Sequence, residues 1–148
     1  MTAPDWFTAI LWTDPVKIEE LRYDRKRLPM TSGVYVFTNY SFALEQNTGV
    51  LYVGKAKSLH KRVQSYLADP EKLLVLSSRS GVLRPSTSFN HPGKFLLLMD
   101  IQQRFRALGH GESGIWVRWH PCVAPSILEN QLIKYLKPAF NTQGRTDE

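Results

Sequence analysis

Glu129, Arg62, Lys55 and the strand tyrosines Tyr35 and Tyr52 are the residues of this 148-residue chain whose chemistry reaches beyond packing. Glu129 closes the run Ser126-Ile127-Leu128-Glu129. That spacing is a capping box, in which the carboxylate folds back on the start of a helix. The same group suits a second role, because a hard divalent cation takes oxygen ligands, and Mg²⁺ commonly sits on one carboxylate plus waters and substrate phosphates. Both readings stand at this point. Arg62 is either a surface arginine or a permanently charged, planar donor for phosphoryl oxygens. Lys55, directly after Gly54, is an ordinary exposed lysine or a second cation for the same anion. Tyrosine is a good strand residue, so packing is the plain reading of Tyr35 and Tyr52. On neighbouring strands, near Gly33 and Gly54, they would present two phenols to one cleft. A phenol ionises near pH 10, so it serves as a base at neutral pH only with positive charge beside it.

The elements that must position these residues read as follows. Asp14 caps and Pro15 opens a helix over residues 14–26, and Pro29 ends it. Residues 33–38 and 50–54 are β-prone and joined by a short connection, which predicts an antiparallel hairpin. Ser58 caps a helix whose Leu59, Val63, Tyr66 and Leu67 form one apolar stripe. Arg62 lies about 60° from the centre of that stripe and projects from its edge. Residues 77–93 are rich in Ser, Pro and Gly, lack any period, and predict a mobile loop. A helix over 94–108 ended by Gly109, a third strand over 115–120 and a helix over 126–136 complete the chain. Trp116 and Trp119 read as core, with base stacking the lesser alternative.

Charge locates a partner class. Residues 46–99 hold eight Lys or Arg against two carboxylates, a surplus equal to the whole net charge of +6. A one-sided cationic block suits a polyanion, since each neutralised phosphate releases condensed counterions. A solvated basic face is the plain alternative. No run approaches the roughly 18–20 apolar residues that span a bilayer, and no membrane association is expected. The start of the chain lacks a secretory pattern, and the single Cys122 fits a reducing, cytoplasmic setting as a buried inert thiol. His60, His91, His110 and His120 share no metal-ligand spacing.

Gly33-Val34-Tyr35, Tyr52-Val53-Gly54-Lys55 with Arg62, and Glu129 with Asn141 beyond Lys137-Pro138 together resemble the GIY-YIG endonuclease family. The likeness is strongest to the catalytic domain of the bacterial excision-repair nuclease, the UvrC type. It spans residues 31–142 and leaves 70–120 unmatched. Tyr66 stands four residues after Arg62, where restriction-type and homing-type branches carry histidine. This agrees with the repair type.

The resemblance implies a small α/β (α+β) domain: a three-stranded, mainly antiparallel sheet flanked by helices, with the active site along one sheet face. It implies one domain over 1–148 with an inserted loop-helix region at about 70–112. It implies a metal-dependent endonuclease that hydrolyses DNA phosphodiesters, RNA not being excluded. Glu129 would be the sole protein ligand of Mg²⁺ or Mn²⁺, Tyr52 the general base, and Arg62 and Lys55 the stabilising cations. Tyr35 and Asn141 would hold the geometry. Lys57, Lys61, Arg79 and Arg84 are the expected nucleic-acid contacts. The alternative is a catalytically weak nucleic-acid-binding module with the same fold. No partner protein is inferable, and the further domains that damage repair would need are not expected here.

Overall fold

Val34, Tyr35, Val36, Phe37 and Thr38 put five β-branched or aromatic side chains in succession, and the strand they form is buried at every position. The computed structural model describes residues 3–46, 49–66, 74–76, 83–85, 97–101, 103–104, 107 and 113–141. In chain order, α1 (Asp5–Thr8), β1 (Val16–Lys17) and α2 (Ile18–Tyr23) lead through a 3-10 turn to β2 (Gly33–Thr38). Then come β3 (Val50–Ala56), α3 (Leu59–Gln64), β4 (Leu74–Leu76) and β5 (Leu83–Pro85). Residues 97–101, 103–104 and 107 are helical and are termed α4. β6 (Trp116–Pro121) and α5 (Pro125–Leu136) follow.

The architecture is α+β, with an antiparallel sheet in the order β1-β6-β2-β3. The expected hairpin is β2–β3, and the expected third strand is β6. The sheet has a fourth strand that the sequence did not announce. Val16 pairs with Val117 and Lys17 with Trp116, so the chain runs extended where a helix was expected from Asp14. Pro15 is compatible with that, since proline is tolerated at a sheet edge. The helix begins only at Ile18, where the Lys17 N–H donates to Glu20 Oε2 at 3.3 Å.

β2 lies between β6 and β3, and both of its faces are covered. Tyr35 and Phe37 pack with Leu59, Val63 and Tyr66 of the α3 segment, Leu97 and Ile101 of α4, and Ile18 and Leu21 of α2. Val34 and Val36 pack on the other face with Phe7, Val53 and Leu132, Ile133 and Leu136 of α5. Double coverage is why this strand reads as a continuous apolar run. Trp119 is core, whereas Trp116 is half-buried beneath the Lys17 ammonium, 5.8 Å from the ring centre.

Ser58 caps α3 as expected, its hydroxyl accepting from Lys61 N at 3.3 Å. Leu67 lies outside the described residues. The loop expected over 77–93 needs a correction. Leu83–Pro85 is a strand, antiparallel to Leu74–Leu76 in a separate two-stranded sheet. Strands of three residues are too short to show a period. The rest of 77–93, with Arg79, lies outside the described residues, as do Lys94 and Gly109. Among the described residues no helix is long and apolar enough to cross a membrane.

Candidate active site at the edge of the sheet

β3 ends the sheet, and its alternating side chains reach helices on both faces. Tyr52 joins the cluster under α3, while Val53 joins the cluster under α5. The candidate residues gather beside β3, the end strand of the sheet.

Gly54 stands directly opposite Tyr35 on β2. A Cβ at Gly54 would collide with the Tyr35 phenol, so the glycine is what lets that ring lie across the strand. At Gly33 a Cβ would meet the His120 carbonyl oxygen at 2.5 Å and Pro121 Cα at 2.9 Å, so the other motif glycine lets β2 lie close against β6.

Three phenols follow from this. The Tyr35 and Tyr66 hydroxyls are 3.1 Å apart, and Tyr66 also hydrogen-bonds Tyr52. The three ring centroids lie 5.9 to 6.4 Å from one another. Burial raises the pKa of all three. For Tyr52, burial is followed by the neighbouring Glu129 carboxylate, while the Tyr66 hydrogen bond and Arg62 pull the value back. Arg62, exposed on α3, opposes the rise at every one of these phenols.

Glu129 is only 6 % exposed. It does not cap its helix. α5 begins at Pro125, Ala124 takes the N-cap position with φ 53°, and no side chain caps the end. Proline at the first helical position puts the N-cap at Ala124, two residues before Ser126, which breaks the capping-box register. Ser126 instead accepts a hydrogen bond from Lys55 Nζ at 2.9 Å. Among the described residues no hydrogen bond or ion pair engages the Glu129 carboxylate. Burial pushes its pKa above the usual carboxylate range, and Lys55 and then Arg62 oppose that rise.

Asn141 is buried on the outer side of β3, with its side chain bonded to both the N–H and the carbonyl of Val53 at 2.8 Å each. Ala139 N and Phe140 N donate to Val50 O and Leu51 O, so residues 139–141 dress the strand that carries Tyr52.

The structure thus brings together Tyr35, Tyr52, Arg62, Lys55 and Glu129, with Asn141 behind them. Lys57 and Lys61 are exposed at the start of α3. Arg84 lies apart on β5, opposite Val75. Two participants were missed as such in the sequence: Tyr66, which links both motif tyrosines, and Ser126, which holds Lys55. Tyr66 had a signal, its place one helical turn after Arg62. Ser126 had none that distinguished it from a cap.

Among the described residues of this site, Glu129 is the one whose side chain suits a hard divalent metal. No group of three His, Cys, Asp or Glu comes together among the described residues. A lone, buried, otherwise unbonded carboxylate fits a Mg²⁺ site completed by water and phosphate, rather than an all-protein cage.

The antiparallel α+β fold is consistent with a GIY-YIG domain. Residues 31–83 match the UvrC-like GIY-YIG domain, and this chain carries a domain of that UvrC-like kind. It is 30% identical over 130 residues to UvrABC system protein C of Syntrophomonas wolfei, covering 88% of this chain and 16% of that protein. The protein of the same name from Helicobacter pylori is 32% identical over 123 residues, covering 83% of this chain and 16% of the relative. That from Campylobacter jejuni is 33% identical over 130 residues, covering 88% and 17%. The chain therefore spans about a sixth of the length of the curated relatives it matches.

Proposed function

We propose that this chain is a metal-dependent endonuclease that hydrolyses DNA phosphodiester bonds. The observation that carries the reading is the convergence beside β3 of two motif phenols, two cations and one buried carboxylate that is unbonded among the described residues. Glu129 is the residue that would hold Mg²⁺ or Mn²⁺, and the bound ion supplies Lewis-acid stabilisation of the phosphoryl oxygens. Arg62 presents a fixed charge to the same oxygens, where a preorganised donor counts most in the transition state. Lys55, anchored on Ser126, adds a second positive charge. Tyr52 takes the proton of the attacking water, and its phenolate is supported by the Tyr66 hydrogen bond and by Arg62. Tyr35 fixes Tyr66, and Asn141 fixes the strand between Tyr52 and Gly54. Lys57 and Lys61, with Arg79 and Arg84, would engage the nucleic-acid backbone in a cytoplasmic setting.

One observation favours a second reading. Burial holds the Tyr52 phenol above its ordinary pKa, which suits a catalytically weak nucleic-acid-binding module. Incubating pure protein with plasmid, branched DNA and RNA in Mg²⁺, Mn²⁺ or EDTA separates the two. Cleavage of DNA that EDTA stops supports the nuclease, and retention of nucleic acid without cleavage supports the module.

A further inference from the structure

Two strands away from β3, Arg118 occupies an environment that the nuclease reading does not use. It is 4 % exposed, on the sheet face that α1 and α5 cover, opposite Val36. Its Nη2 donates to the Phe42 carbonyl at 3.0 Å, while its Nε is buried and unpartnered among the described residues. A permanently charged group so placed is costly unless an anion or further acceptors meet it. Its pKa is lowered by burial.

Arg118 lines a cleft of about 580 Å³ between the segment 7–15 and residues 41–44. That volume lies within the range of small-molecule sites. Trp12, also lining it, has a second buried donor that is unpartnered among the described residues, the indole Nε1. Phe42 at the rim is 57 % exposed and stacks on Tyr40 at 4.1 Å. Leu11 beside it is 80 % exposed. Asp14, the acidic residue of the lining, is exposed and makes no ion pair with Arg118.

We propose that this cleft is a ligand site separate from the β3 edge, taking a small molecule that carries an oxyanion on an aromatic or apolar body. The guanidinium faces the oxyanion with the planar donor set that suits carboxylate or phosphate. Phe42 and Leu11 cover the apolar part. A loop tether alone would use the Nη2 bond and leave the buried Nε without an acceptor among the described residues.

The test is titration of the ¹⁵N-labelled full chain with adenosine monophosphate, benzoate or inorganic phosphate, following the Arg118 Nε–H and Trp12 Nε1–H signals. Saturable movement of the Arg118 signal, with Trp12 following, below roughly millimolar ligand is expected for at least one of the two organic probes. Inorganic phosphate, lacking the apolar body, binds more weakly. A response to adenosine monophosphate alone assigns a phosphate-bearing ligand, and a response to benzoate alone a carboxylate. Phe42→Ala removes an exposed ring, so it should fold, and it weakens binding by roughly two- to tenfold. Glu129→Gln leaves binding unchanged, which keeps this test independent of nuclease activity. Arg118 and Trp12 signals that stay still with both organic probes would overturn the site, as would full affinity in Phe42→Ala.

Discussion

Asn141 holds Val53 on both sides of its Cα: its Nδ2 donates to the Val53 carbonyl and its Oδ1 accepts from the Val53 N–H. The carboxamide stands where a neighbouring strand would otherwise pair, between Tyr52 and Gly54. Asn141→Ala leaves two buried backbone groups unsatisfied and should cost about 2–4 kcal/mol in urea unfolding. Cleavage should fall with it, because the strand that aims Tyr52 loosens. Unchanged stability would show that water replaces the side chain without loss.

Gly54→Ala places a methyl group against the Tyr35 ring. The ring is 1 % exposed and packed on three sides, so the expected outcome is a lower Tm together with lost cleavage. Wild-type Tm and rate would mean that the phenol moves aside freely.

Tyr66→Phe deletes the hydroxyl that serves both Tyr35 and Tyr52. Tyr52 loses an interaction that lowers its pKa, so the alkaline rise of the cleavage rate should move to higher pH. Stability carries a linked signature. Folding raises the pKa of these phenols, so their contribution is fully present below the unfolded value of about 10 and is lost as pH rises through the folded values. The Tm of the wild type should therefore fall steeply above roughly pH 10, and less steeply in Tyr66→Phe.

Much of this was legible because the motif residues sit on short, strongly patterned elements. The β2–β3 hairpin followed from two β-prone runs, and the α3 stripe from Leu59, Val63 and Tyr66, each buried completely. Asn141 was expected to hold geometry, and its side chain bonds the N–H and the carbonyl of Val53; its part in catalysis is a proposal. What escaped the sequence was set by long-range pairing. β1 exists because Val16 and Lys17 meet β6 about a hundred residues later, a contact no local propensity announces. Glu129 carried a capping spacing that failed because Pro125 took the first helical position.

Arg62→Ala removes an exposed side chain, so Tm should change little. Cleavage should slow by roughly two to three orders of magnitude, the scale for one positioned transition-state donor. A large loss of stability at unchanged specific activity would instead mark Arg62 as a structural charge beside the phenols.

The most direct measurement compares wild type with Glu129→Gln for plasmid nicking, DNA binding and Tm at neutral pH in Mg²⁺. Burial raises the Glu129 pKa, so the stability linked to its proton is present below the ordinary carboxylate value and lost as pH rises through the folded one. At neutral pH the ionised group is a burden on the fold, and glutamine relieves it. The predicted result is cleavage abolished, DNA binding retained and Tm equal or higher. Cleavage within a few-fold of wild type would contradict the assignment of Glu129 as the metal-holding residue, and with it the proposed chemistry of the β3 edge.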